Sequence, residues 1–124
     1  MYIIKTDKAP AAIGPYSQAI AHGGMLYCSG QIPIDPATGT LVKGDIARQT
    51  RQVMENIRGV LQAAGTDFDR VVKTTCFLAD MADFAAFNAE YEKWFISRPA
   101  RSCVAARQLP KGALVEVEAL AAID

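Results

Sequence analysis

The sequence predicts an α+β or α/β domain: a mixed sheet of five or six strands with two helices packed on one face. Two observations lead there. Two stretches carry apolar residues at helical spacing, whereas several short runs rich in β-branched residues are separated by Gly- and Pro-containing turns. The resulting order, β-β-β-α-β-α-β-β, gives two helices for one sheet. With 124 residues the chain is long enough for one domain, 1–124, with a core of its own.

Tyr2–Thr6 is a short apolar run that reads as an edge strand. Lys8–Tyr16 holds two prolines and a glycine and reads as a loop. Ser17–His22 and Met25–Ser29 flank Gly23-Gly24, the pattern of a hairpin. Asp35-Pro36-Ala37-Thr38-Gly39 is strong turn chemistry. After Gly44, Asp45 is placed to cap a helix whose stripe is Ile46, Val53, Ile57, Val60, Leu61 and Ala64, with Gly65 ending it. Gln49, Gln52, Glu55 and Arg58 fall largely off that stripe. Val71–Ala79 is β-branched and reads as an interior strand. Asp80 or Asp83 caps a second helix with Phe84, Phe87, Tyr91, Trp94 and Phe95 on its apolar side and Glu90, Glu92 and Lys93 away from it.

The final stretch, Pro99–Glu118, has two β-like runs around Leu-Pro-Lys-Gly and reads as a hairpin. With the loop at Leu109–Gly112, Ala105 falls opposite Glu116, and Arg101 and Arg107 share a face with Glu116 and Glu118. A register one residue away puts them on opposite faces. Two helices cover one sheet face; the other is too apolar for water and calls for a partner subunit.

Thirteen basic and thirteen acidic residues cancel. No overall field draws in a polyanion, which argues against nucleic acid and anionic membranes as partners. Cys28, Cys76 and Cys103 are odd in number and widely spaced, which fits free thiols in a reducing compartment. With no basic segment leading a long apolar run, and no window of membrane-spanning length, a cytoplasmic location is expected. His22 is the only histidine, beside a Gly-Gly turn, and the cysteines lack zinc spacing, so no metal centre is expected. No phosphate-binding glycine loop is present.

The remaining candidates each have a plain structural alternative. Arg101 is a natural bidentate partner for a small carboxylate, or an arginine that pairs with a strand carboxylate and holds the sheet. Glu116 interrupts the apolar run LVEVEALAAI, as an acid/base or water-orienting group in a cleft or as a solvent-facing strand position. Glu118 nearby would raise its pKa and Arg101 would lower it. Asn88 adjoins the apolar stripe of the second helix, as a pocket contact or an exposed amide. Tyr16 and Ser29 stand where loops leave strands. Gly30 permits close backbone approach or merely turns the chain. Cys103 reads as a small buried hydrophobe before a nucleophile.

Across nearly its whole length the chain resembles the reactive intermediate deaminase family (RidA, or YjgF-type). The resemblance rests on APAAIGPYSQA at 9–19, SGQIP at 29–33, DIARQTRQVMENI at 45–57, VVKTTCFLADMADFAAFNAEY at 71–91, and PARSCV with LPKGALVEVEALA at the C-terminal end. It implies a chorismate-mutase-like α+β fold in a homotrimer, with helices outside and three pockets between subunits. It also implies cofactor-free hydrolysis of short-chain enamines and imines (2-aminoacrylate, 2-iminopropanoate, 2-iminobutanoate) to 2-keto acids and ammonia. Carried over residue by residue, Arg101 looks like the carboxylate anchor and Cys103 like a backbone contributor to it. Glu116 looks like the holder of the attacking water, and Tyr16, Ser29, Gly30 and Asn88 match pocket-lining positions. One departure is the short link Ile96-Ser97-Arg98, which carries an extra arginine. Two other readings use the same residues: a non-catalytic module that binds keto acids or a partner protein, and an endoribonuclease. The neutral charge and the lack of a basic-aromatic groove argue against the second.

Overall fold

The computed structural model describes residues 1–124. Its main sheet has six strands in spatial order β1-β2-β3-β8-β6-β7. The strands are β1 Tyr2–Ile4, β2 Ala19–His22, β3 Met25–Gln31, β6 Val71–Leu78, β7 Ala100–Ala105 and β8 Val115–Ala122. Between β3 and β6 come a two-residue pair, β4 Ile34–Asp35 and β5 Thr40–Leu41, and helix α1, Ile46–Ala63. Helix α2, Phe84–Tyr91, connects β6 to β7.

The first hairpin forms as its turn chemistry requires. Gly23 and Gly24 both take positive φ, 60° and 77°, and His22 pairs with Met25. The last expected hairpin does not form. β6 lies between β8 and β7, antiparallel to the first and parallel to the second. Two parallel strands need a long crossover, and α2 supplies it between β6 and β7. The Leu-Pro-Lys-Gly segment then carries the chain across β6 to β8, through a 3-10 turn with Lys111 at φ 59°.

This topology settles the faces. Thr74 pairs with Arg101 and Cys76 with Cys103, while Cys76 also pairs with Val117 and Phe77 with Glu116. Arg101 and Cys103 therefore lie on the helix side of the sheet and Glu116 on the other. The expected common face for arginines and glutamates is corrected: the two runs are separate strands two places apart.

Both helices pack on one face. Ala19, Leu26, Cys76, Val115, Val117 and Ala119 meet Val53, Ile57, Val60 and Leu61 of α1 and Phe87 and Tyr91 of α2. The opposite face presents Tyr27, Thr75, Phe77, Val104 and Leu120, with Tyr27 and Val104 nearly half exposed. Asp45 caps α1 through the Arg48 amide, and Gly65 follows its end at φ 77°.

Polar side chains enter this core where loops must be held. Gln49 and Glu90, expected off the apolar stripes, are buried. Gln49 donates to the Val42 carbonyl at 3.0 Å and accepts from the Leu114 amide at 2.8 Å, fixing the approach to β8. Glu90 stands three residues after Phe87, on the buried side of α2, and the Trp94 indole one turn on donates to it at 3.0 Å. Lys93 and Arg51 complete its shell. Burial pushes the Glu90 carboxyl up, but these hydrogen bonds and charges together hold it below its usual value. Asn56 is fully buried and donates to the Ile32 and Ile34 carbonyls at 3.1 and 2.9 Å.

Asn56→Leu removes the side-chain donor of the Ile34 carbonyl and one of two donors to the Ile32 carbonyl, which keeps the Ile34 amide at 2.7 Å. We expect a loss of about 2 kcal/mol or more in urea unfolding, since each orphaned buried group costs roughly 1–3 kcal/mol; a change under about 0.5 kcal/mol would show that water replaces the amide.

Candidate active site

The sequence-derived residues gather in two clusters, one on each side of the sheet. The first is built on the β7 edge. Arg101 is half-buried and donates from Nη1 to the Asn88 Oδ1 at 2.8 Å. Its guanidinium carbon stands 4.9 Å from the ring centre of Tyr91, 5.5 Å from Phe84 and 6.0 Å from Phe87. Rings at these distances attract the cation through their π faces. No carboxylate comes within 4.0 Å of Arg101, so the reading of it as a sheet-holding ion pair is set aside. The charge is held by rings and an amide but not neutralised, a disposition suited to an anion. A cavity of about 560 Å³ opens beside it, lined by Asn88, Tyr91, Phe95, Arg98, Pro99 and Arg101.

Tyr91 is tied down in turn. Its hydroxyl is 2.7 Å from that of Thr74, on the strand next to Arg101. Burial raises its pKa, and the Thr74 bond and Arg101 only partly oppose this. Cys103 lies two residues further along the same face of β7. Burial raises its thiol pKa against the pull of Arg101, and burial pushes Cys28 and Cys76 up to about 12. None of the three is tuned as a thiolate nucleophile.

The second cluster is on the open face. Glu116 lies over Gly30: a Cβ built on Gly30 would stand 2.9 Å from the Glu116 Cδ and 3.0 Å from its Cγ. Gly30 is where the β3–β8 register shifts, between Cys28 and Gln31, an irregularity that lets the glutamate lie across the strand. Ser29 donates its hydroxyl to the Ser17 carbonyl at 2.6 Å and pins the loop that ends at Tyr16. Together Tyr16, Ser29, Gly30, Gln31, Lys111 and Glu116 line a cavity of about 480 Å³. Burial raises the Glu116 pKa and the charge of Glu118 raises it further; Arg101, across the sheet, takes no part. A larger opening of about 770 Å³ runs along the N-terminal segment. Its buried amide, Gln18, already bonds to Thr6, Ala9 and Pro10.

Tyr16, Ser29, Gly30 and Glu116 thus come together, and so do Asn88, Arg101 and Cys103, but one chain does not join the two sets. Sequence reasoning missed the rings of Phe84 and Tyr91 around Arg101. Their spacing was read as core packing, and they do both.

The fold that carries these two clusters is matched among known proteins. The family model described as endoribonuclease L-PSP matches residues 6–123. A RutC family protein of Pyrococcus horikoshii is 54% identical over 120 residues, covering 96% of this chain and 95% of its own. Among solved structures, the Rid-family protein YyfA of Yersinia pestis superposes with a TM-score of 0.96 at 52% identity, covering 98% of each chain. TdcF of Escherichia coli, solved with bound serine, superposes with a TM-score of 0.95 at 40% identity over the whole of both chains. The chain belongs to this family of Rid and RutC proteins.

Gly30→Ala tests how closely Glu116 depends on the missing side chain. The new methyl meets a movable carboxylate, so we expect the fold to survive and Glu116 to be pushed toward solvent. Its pKa, followed by carbon NMR, then falls toward the ordinary carboxylate value; an unmoved titration would show that the strand yields instead.

Proposed function

We propose that the protein hydrolyses short-chain 2-imino acids, and the enamines in equilibrium with them, to 2-keto acids and ammonia, in a site assembled between two copies of the chain. The observation that carries this is Arg101: a half-buried guanidinium fixed by Asn88 and three rings, with no carboxylate of its own. An imino acid has a carboxylate next to the C=N carbon, so gripping the first positions the second. TdcF, whose structure holds serine, carries a ligand with that same carboxylate beside a nitrogen-bearing carbon.

Glu116 is the second component. A carboxyl with a raised pKa holds a proton more tightly than usual and is the better proton acceptor once ionised. In this reading it orients a water and takes its proton as the oxygen adds to the C=N carbon. The C=N electron pair moves to nitrogen, which takes that proton from Glu116, giving a carbinolamine. Glu116 then takes the hydroxyl proton and passes it to the amine as the C–N bond breaks, so that ammonia leaves as the C=O forms. Positioning together with acid/base catalysis of about 10²–10⁴-fold is adequate for a reaction already feasible in water. Because Arg101 and Glu116 lie on opposite faces of one sheet, the Arg101 cluster of one copy must meet the Glu116 cluster of the next. A closed ring of three, with the open sheet faces inward, satisfies both this and the apolar residues on that face.

The assay generates the imine with a pyridoxal-phosphate threonine dehydratase and times keto-acid formation with and without this protein. We expect Arg101→Ala and Glu116→Gln each to lower kcat/KM by about 100-fold, with Glu116→Gln retaining affinity for 2-oxobutanoate. No acceleration by the wild type, with keto-acid affinity intact, would make it a binding module instead. Mixing the two variants under exchange should restore about a quarter of wild-type activity: in a ring, random mixing leaves one site in three intact in three rings out of four. Zero recovery, with exchange confirmed by mass spectrometry, would place the site within one chain.

The pH profile follows from Glu116. Since burial and Glu118 raise its pKa, the acid limb of kcat/KM should lie above the usual glutamate range. Glu118→Gln removes one raising charge and should shift that limb to lower pH; an unshifted limb assigns it to another group.

A further inference from the structure

The cavity beside Arg101 holds a second arginine. Arg98 lines the same space of about 560 Å³. It is exposed, and no carboxylate lies within 4.0 Å of it, Glu92 on the same cavity included. Its backbone is unusual. Arg98 has φ 56°, one of only two non-glycine residues with positive φ. It precedes Pro99, whose ring restricts its neighbour's conformations. A left-handed residue at the end of a turn is ordinarily Gly or Asn, because a longer side chain is strained there. Strain of this kind persists where the surrounding structure enforces it, often at ligand sites. The turn itself is held by the Arg98 amide donating to the Phe95 carbonyl at 3.1 Å, a bond that glycine would make equally well. The side chain, then, is not what the turn requires. What it adds is a second unneutralised cation on the cavity of the first.

We infer that Arg98 is a specificity-determining residue, and that this protein favours 2-imino acids bearing a second anionic group on the side chain, the 2-imino dicarboxylates. The inference rests on the deaminase reading above. Arg101 takes the carboxylate next to the C=N carbon, and Arg98 takes the one at the far end. Hydrolysis is as before: water adds, ammonia leaves, and the product is a 2-keto dicarboxylate. The reaction supplying such a substrate oxidises or eliminates from an acidic amino acid and releases the imine unhydrolysed.

The test compares two imines. 2-Iminosuccinate is released by a flavin-dependent aspartate oxidase, and 2-iminobutanoate by threonine dehydratase. For the wild type we expect the higher kcat/KM with 2-iminosuccinate. In Arg98→Gly the ratio of the two values should fall about fivefold or more, the scale of one solvent-facing charge contact, with Arg98→Lys keeping part of it. Glycine relieves the left-handed strain, so the melting temperature should hold or rise, which separates a lost contact from a damaged fold. A ratio that is the same in wild type and Arg98→Gly overturns the inference while leaving the deaminase reading intact. Should the wild type accelerate neither imine, the deaminase reading falls, and calorimetry decides the role of Arg98. Tighter binding of oxaloacetate than of 2-oxobutanoate, lost in Arg98→Gly, sustains it; equal affinities overturn it.

Discussion

Strand β6 separates the two runs that carry the candidate chemistry, and the form of the site follows from that insertion. Its pairing is parallel to β7 and antiparallel to β8. The parallel pairing requires the α2 crossover, and the crossover brings Asn88, Phe84, Phe87 and Tyr91 over the residue opposite Thr74, which is Arg101. The antiparallel pairing sets Glu116 opposite Phe77, on the face that no helix covers. A direct hairpin could have put both charges on one face, where each would neutralise the other. Keeping them apart leaves Arg101 free to take an anion and lets burial raise the Glu116 pKa without opposition.

Much of this was legible in the sequence, and the reason differs by element. Helix α1 was plain because its stripe, the Asp45 cap and Gly65 all agree. The Gly23-Gly24 hairpin was plain because only a tight turn needs two left-handed residues in a row. The Pro99–Glu118 stretch misled for a physical reason: a turn sequence shows that the chain changes direction, not which strand lies beside it afterwards. Leu109–Gly112 turns the chain, yet the neighbour is β6, paired through residues as far apart as Leu78 with Val115 and Val71 with Ala121, and non-local pairing of that kind leaves no local signature. Glu90 misled because residue type outweighed phase: standing three residues after Phe87 and four before Trp94, it lies on the buried side of α2, where the Trp94 indole, Lys93 and Arg51 meet its carboxylate.

The candidate residues themselves were legible by type, while their grouping was not. Gly30 was a glycine with an open purpose until the Glu116 carboxylate was found lying against it. Asn88 was an amide near an apolar stripe until its oxygen proved to be the only hydrogen-bond partner of the Arg101 side chain within the chain. Buried amides contribute in the same way at a distance. Gln18 holds the loop that leads to Tyr16, Asn56 holds the carbonyls on either side of Pro33, and Gln49 holds the start of β8. None of them touches either cavity's charged group, but each fixes a segment that does.

The division of charge also bears on stability. Glu116 is ionised at a cost, since burial and Glu118 both disfavour its charged form. A folded-state pKa above the unfolded value means that its contribution to stability is most favourable when protonated and is lost as pH rises through the folded pKa. At neutral pH the fold therefore tolerates an unfavourable carboxylate on the open face. Arg98 shows the same pattern in backbone form: a left-handed conformation that glycine would adopt with less strain carries an arginine on the cavity of Arg101. Local choices that a core would reject occur at both cavities, and in the proposed reaction the same residues are the cation, the second cation and the proton acceptor for a carboxylate-bearing imine.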